Sequence, residues 1–331
     1  MNDHSSHSEF IGGSMYRNIM VPVDGSPFSK EAVLQGLRIA SQSGATLRLV
    51  RVGTSSVLAG GPEAFPLEND TLRRIQASEL AALYSIAAEC RAHSTVTVTA
   101  SVQYGPVVDA LIGYARRQKV DLIVMRSHSR KGLARVWFGS VADALIRESG
   151  IPVLVVKAPS VATALESGFH YNRILVPLDG SLLAEQSIEP AISLARIDGA
   201  EITLLMVVPP SIWPSGELAS SLGNAAAKDV SAANRYLESC LTPSLDRSIR
   251  ITRKVVVSSD VPGAILAAAE NTEADLIAIA THGRGAITRA RVGSVADKVV
   301  REASVSTMVV RPILQIPDFK AVAYGMLATS A

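Results

Sequence analysis

The sequence predicts an α/β protein built from two copies of one doubly wound domain. Each copy is expected to be a five-stranded parallel sheet of order 3-2-1-4-5 with helices on both faces. Three observations predict it: an internal repeat, a regular alternation of strand-like and helix-like segments, and a length of 331 residues, which suits about two domains. The repeat is carried by three ordered matches. Met20-Val21-Pro22-Val23-Asp24-Gly25-Ser26 returns as Leu175-Val176-Pro177-Leu178-Asp179-Gly180-Ser181, and Val120-Asp121-Leu122-Ile123 as Ala274-Asp275-Leu276-Ile277. Gly139-Ser140-Val141-Ala142-Asp143 returns as Gly293-Ser294-Val295-Ala296-Asp297. The offsets are 155, 154 and 154 residues, far longer than a solenoid period, so each copy can hold its own core.

The elements of the first copy follow in order. Asn18–Val23 is a short β-branched run ending at Pro and Asp-Gly. Ser29–Ser43 carries apolar residues at Ala32, Val33, Leu37 and Ala40, the helical spacing, and Gly44 closes it. Thr46–Val52 is a second strand, followed by an irregular stretch rich in Gly, Pro and Ser over Gly53–Glu68. A long helix over Asp70–Ala92 precedes a strand at Thr95–Val102, a helix at Pro106–Arg117 and a strand at Asp121–Arg126. Gly139–Ser149 is helical and Ile151–Lys157 is the last strand. Several strands are near-continuous aliphatic runs, as expected where helices cover both sheet faces. Right-handed crossovers then give three layers. The second copy repeats the order from Asn172 to Arg311. The expected boundaries are a tail over 1–15, domains over 16–158 and 172–313, a linker over 159–171 and a tail over 314–331. His4 and His7 in the first tail are read as solvated residues, not metal ligands.

Composition narrows the function. Lys plus Arg number 32 and Asp plus Glu 30, a net charge of +2, which argues against nucleic-acid binding through massed positive charge. With 48% hydrophobic and 19% charged residues the chain has ample core material and is not disordered. Two cysteines, Cys90 and Cys240, build no disulfide framework, so a reduced, cytoplasmic setting is expected. They fall at similar places in the two copies, and lone helix cysteines are usually buried and inert. No apolar run reaches the roughly 18 residues of a membrane span, and the start lacks a secretory pattern.

In open parallel sheets ligands sit beyond the carboxyl ends of the strands, where the strand order reverses. For order 3-2-1-4-5 that is between the first and fourth strands, and the most distinctive motifs follow those two. After the first come Asp24-Gly25-Ser26 and Asp179-Gly180-Ser181. After the fourth, in the second copy, comes Ala280-Thr281-His282-Gly283-Arg284-Gly285, ending at Gly293-Ser294 where a helix opens. Glycines let backbone amides approach an anion, and a helix N-terminus offers unpaired N–H groups at the positive end of its dipole. Ser294 can donate its hydroxyl, and Arg284, Arg289 or Arg291 can add charge. Structural readings compete: Ser294 with Asp297 resembles a capping box, and Asp179-Gly180-Ser181 suits an Asx-turn with a helix cap.

These residues resemble the universal stress protein family in tandem, two-domain form, over about residues 16–313. Family members that bind ATP carry Gly-x2-Gly-x9-Gly-Ser/Thr after the fourth strand and an Asp after the first. Here the second copy reads Ala280-x2-Gly283-x9-Gly293-Ser294 with Asp179, and the first reads Arg126-x2-Ser129-x9-Gly139-Ser140 with Asp24. The resemblance implies an ATP or adenine-nucleotide site mainly in the second copy, with Mg2+ only as a partner of the phosphates. Pro177, Leu178 and Asp179 would meet the adenosine, with Ile202 flanking the base. Ala280, His282, Gly283, Gly293, Ser294 and Val295 would surround ribose and phosphates. Weaker counterparts in the first copy are Asp24, Leu47, Arg126, Ser129, Gly139 and Ser140. Arg126 would crowd the phosphates there unless it swings out to pair with them. The apolar final strands would be sheet edges, which soluble proteins cover. The resemblance implies that they pair the copies as a pseudo-dimer, and that the chain forms a homodimer. It also implies a regulatory stress-response function, with a nucleotide-independent interaction scaffold as the alternative. A slow ATPase or nucleotidyl transferase is a third reading, although no Gly-x4-Gly-Lys-Ser/Thr motif is present. No catalytic residues and no dedicated metal ligands are expected. His128 and His282 lack a neighbouring nucleophile or orienting carboxylate in sequence and are read as loop residues. Trp137 and Phe138 place apolar bulk in an otherwise basic loop.

Overall fold

The aliphatic runs and amphipathic segments fold as their periodicities dictate. A computed structural model describes residues 16–26, 29–53, 69–126, 139–157, 170–210, 219–241, 248–281 and 293–312. The first half runs β1 (Asn18–Pro22), α1 (Ser29–Ser43), β2 (Thr46–Val52), α2 (Asn69–Ala92), β3 (Val98–Gln103), α3 (Val107–Arg117), β4 (Leu122–Arg126), α4 (Ser140–Glu148) and β5 (Val153–Val156). The second half runs β6 (Arg173–Leu178), α5 (Leu182–Glu185), α6 (Ile188–Asp198), β7 (Glu201–Val208), α7 (Ala219–Ser239), β8 (Ile251–Val257), α8 (Val261–Asn271), β9 (Leu276–Ala280), α9 (Ser294–Glu302) and β10 (Ser306–Val310).

Each half has the predicted strand order. β1 pairs in parallel with β2 and β4, and β6 with β7 and β9. The halves then join, because β5 and β10 pair antiparallel with Leu154 opposite Met308. The result is one ten-stranded sheet of order β3-β2-β1-β4-β5-β10-β9-β6-β7-β8. Every residue of β5 and β10 is buried, so two apolar edges that would otherwise face water cover one another. One apolar layer lies on each sheet face, and each layer draws residues from both halves. Polar contacts fasten the joint. The buried Tyr16 hydroxyl donates to the Pro190 carbonyl at 3.1 Å, and burial pushes its ionisation well above the usual phenol range. Arg38 pairs with Asp198, whose side chain is fully buried and also accepts the Tyr171 amide at 3.0 Å.

Two differences from the sequence reading have physical causes. The long first helix of the first half, α1, is broken in the second half into α5 and α6. Pro190 explains the break: its ring has no N–H to donate and collides with the carbonyl four residues earlier, at Gln186. Several strands are also shorter than their apolar runs, β5 by three residues (Val153–Val156 against Ile151–Lys157), since apolar residues flanking a strand can pack without joining the ladder. Asp121 and Asp275, matched by the repeat, do the same job in each half. Asp121 accepts the Arg17 and Asn18 amides, and Asp275 those of Asn172 and Arg173, holding the start of the first strand to the start of the fourth. Burial raises both carboxyls above their ordinary pKa despite those amides.

Candidate functional site

The strand order reverses between β1 and β4, and again between β6 and β9, so a crevice opens at the carboxyl ends of each pair. The Asp-Gly-Ser turns stand at its edge. Gly25 and Gly180 both adopt φ +83°, a conformation in which a side chain would be strained. Asp24 Oδ1 accepts the Ser26 amide at 2.9 Å, and Asp179 Oδ1 accepts the Ser181 amide at 3.0 Å and its hydroxyl at 2.6 Å. Ser181 in turn accepts the Ala184 amide and caps α5. The Asx-turn reading therefore holds, with Ser181 rather than Asp179 as the cap. It also fixes each aspartate beside the crevice.

Across one cavity from the first of these turns stands the start of α4, and α9 is its repeat counterpart in the second half. Each begins on a glycine N-cap, Gly139 or Gly293, with no side-chain cap hydrogen bond. This corrects the capping-box reading of Ser294 and Asp297. Asp297 turns instead to Arg301, and Asp143 to Arg147, as i,i+4 pairs. Ser140 and Ser294 are exposed, and the first-turn amides meet no capping side chain. The two glycines differ in one respect. Gly293 donates its amide to the Thr281 carbonyl at 2.7 Å, and a Cβ there would lie 2.9 Å from that oxygen. Among the described residues a Cβ on Gly139 would meet nothing within 4 Å; Ser127, the repeat counterpart of Thr281, lies outside them. Glycine at 293 thus lets the helix start close against the residue that follows β9.

In the first half the crevice is a cavity of about 440 Å³ that brings together Pro22, Val23, Asp24, Gly139, Ser140 and Val141. Their repeat counterparts are Pro177, Leu178, Asp179, Gly293, Ser294 and Val295, all predicted for the second half. Arg126 also lines the cavity and forms an ion pair with Glu31, in the first turn of α1. At the repeat offsets the second half has Ala280 and Gln186 in their place. The sequence reading missed Glu31. The signal was the paired replacement of Glu31 and Arg126 by two neutral residues across the repeat.

Two predicted residues are elsewhere. Leu47 and Ile202 are fully buried in the core, each at the second position of its strand, near the amino end. At ~3.3 Å per residue they lie many ångströms from the carboxyl ends, so neither flanks a base in the crevice. From β2 it is Val50, Arg51 and Val52 that reach the cavity, and their counterparts in β7 are Leu205, Met206 and Val207. Ser129, His282 and Gly283 lie outside the described residues, as do His128, Trp137, Phe138 and the arginines at 284, 289 and 291. A second cavity, about 360 Å³, lies between β8 and α8, away from the switch point.

Among the described residues no group of three or more His, Cys, Asp or Glu is placed to hold a metal ion. Burial pushes the Cys90 and Cys240 thiols up, away from the thiolate that a nucleophile requires. No described helix is long and apolar enough to cross a membrane.

The sequence profile described as the universal stress protein family matches residues 15–157 and again 170–311. The chain belongs to the universal stress protein family. A tandem universal stress protein of Mycobacterium tuberculosis is 26% identical over 88% of this chain and 96% of its own length. One from Methanocaldococcus jannaschii is 31% identical over 45% of this chain and 86% of its own. Among solved structures, a universal stress protein from Archaeoglobus fulgidus is similar with a TM-score of 0.61, covering 90% of this chain and 99% of that one at 19% identity. A functionally unknown protein from Pseudomonas aeruginosa gives 0.62 over 96% and 99% at 16%. At such identities these two structures speak for the fold alone.

Proposed function

We propose that this universal stress protein is an ATP-binding regulatory protein of the cytoplasm, with the nucleotide held mainly in the crevice of the second half. The observation that carries the reading is the start of α9: a glycine-opened helix terminus with no side-chain cap, its Gly293 amide bonded to the Thr281 carbonyl just past the end of β9. Such a terminus is a phosphate site by its geometry and its dipole. In this reading Pro177, Leu178 and Asp179 meet the adenosine, the carboxylate accepting from a ligand donor. Ala280 leaves room beside the phosphates, and Gly293, Ser294 and Val295 receive them. His282, Gly283 and the basic residues between them and Gly293 complete the loop. Mg2+ would arrive with the phosphates. Ile202 has no part in it, and the chain is expected to pair with a second copy.

The test is calorimetric titration of ATP into the full chain after removal of carried-over ligand, compared with Ser294→Asp. That substitution puts a carboxylate where anions stabilise a helix start, so it preserves or strengthens the fold, while repelling a phosphate. Saturable binding that falls at least tenfold in the variant is expected. No binding by the wild type would leave the interaction-scaffold reading standing instead.

A further inference from the structure

We infer that the groove between β8 and α8 is a docking site for an extended, acidic peptide segment of a partner protein. The segment adds to the outer edge of β8 as a further strand and sets a carboxylate on Lys254. The site lies at the edge of the second half, away from both crevices, and does not rest on nucleotide binding. β8 ends the ten-stranded sheet and pairs only with β7, so its other side presents main-chain donors and acceptors that no described strand takes up. Such an edge is a template for another chain. Beside it the cavity of about 360 Å³ is lined by Gly263, Ala264, Ala267 and Ala268, along one face of α8. Strand addition draws affinity from main-chain hydrogen bonds and specificity from pockets that receive alternate side chains.

The first half supplies the contrast. By ladder register, Ser101 and Gln103 of β3 stand where β8 has Lys254 and Val256. Counted from the helix N-caps, Tyr114 and Arg117 of α3 stand where α8 has Ala268 and Asn271. Arg117 donates to Gln103 Oε1 at 2.9 Å, and Gln103 donates to the Ser101 hydroxyl at 2.7 Å, so a side-chain bridge crosses from helix to edge strand. Tyr114 brings a buried ring to the same helix face. Val256 has no polar group to bridge with and Ala268 no bulk, and the second half's groove is open.

Lys254 gives that groove its charge. Arg250 pairs with Glu201 and Arg253 with Glu238, and Asp260 caps α8 through the Gly263 amide and pairs with Lys298. Lys254 lines the groove and has no carboxylate partner among the described residues, so it favours a segment that carries Asp or Glu. The alanines beside it suit short apolar side chains at alternate positions. A second copy of β8 is a poor occupant. Lys254 is the middle residue of the strand, and antiparallel pairing centred there sets two lysines against each other.

The test is fluorescence anisotropy on the full chain with a labelled peptide Thr-Val-Thr-Glu-Thr-Val-Thr, whose alternate residues place Val, Glu and Val on one face. Its controls carry Lys for Glu, or N-methyl groups on alternate amides. Wild type should bind the Glu peptide saturably, about fivefold tighter than the Lys peptide, the size of one surface ion pair. Lys254→Glu should reverse that preference. Val256→Gln/Asn271→Arg, which installs the first half's bridge, should weaken the Glu peptide at least tenfold. Lys254→Glu breaks no ion pair of the fold, so the charge reversal stands even if the double variant fails to fold. Absence of binding to wild type, a preference that Lys254→Glu leaves unreversed, or undiminished binding by a folded double variant would overturn the proposal. So would equal binding of the N-methylated peptide, which would mean capture of a carboxylate without strand addition.

Discussion

The two crevices share a turn, a helix start and a strand order, yet they differ at the end of the fourth strand. In the first half Arg126 reaches across to Glu31 and the cavity has charged walls. In the second half the same places hold Ala280 and Gln186, and the loop's cations stand later in sequence, at 284, 289 and 291. Meanwhile Gly293 is locked against the Thr281 carbonyl, whereas a Cβ on Gly139 would meet nothing among the described residues. A duplicated site can thus keep its backbone and exchange its charges. What a helix start binds is then decided by the side chains opposite it.

The same asymmetry marks the joint between the halves and gives the largest expected effect. Arg38→Ala removes the guanidinium from the fully buried Asp198 carboxylate, leaving it only the Tyr171 amide and the His170 ring, which should cost about 3–5 kcal/mol. The repeat counterparts of this pair are Ser193 and Ser43, and Ser43→Ala should cost no more than about 1 kcal/mol. Urea unfolding of both variants checks the contrast; equal losses would break it. Next comes the pair of glycines. Gly293→Ala forces a backbone shift and should destabilise by about 1–3 kcal/mol. Gly139→Ala removes backbone freedom at φ −55°, where a Cβ meets no described atom, so it should be neutral or slightly stabilising in thermal melts.

Much of this was legible before any coordinates. Strand order followed from alternation and short connections, and the crevice residues Asp24, Asp179, Gly139 and Gly293 announced themselves because turns and helix starts are written in Asp, Gly and Ser. The joint through β5 and β10 was readable as two apolar edges needing cover. Leu47 and Ile202 could have been set aside from the sequence, since both stand at the amino ends of their strands and the crevice lies at the carboxyl ends. Other features depend on packing. The Glu31–Arg126 pair spans 95 residues, and Glu31 reads locally as an ordinary acidic residue in a helix's first turn. The break between α5 and α6 could have been read from Pro190 alone.

The smallest expected effect is one in which the halves should agree. Asp121 and Asp275 have raised carboxyl pKa values because burial outweighs the amides they accept. A raised acid binds its proton more tightly in the fold. The stability it contributes is therefore full below the ordinary carboxyl value of 3.8 and is lost as pH rises through the raised value. Asp121→Asn and Asp275→Asn should each flatten that part of the stability profile to a similar, modest degree. A difference between them would show that the two clamps are not equivalent.

If the two crevices have become different sites, ATP stoichiometry shows it most directly. Equilibrium dialysis of ligand-free full-length protein should give one ATP bound per chain, lost in Ser294→Asp and kept in Ser140→Asp. Two equivalent ATP per chain, or one that disappears in Ser140→Asp, would contradict it.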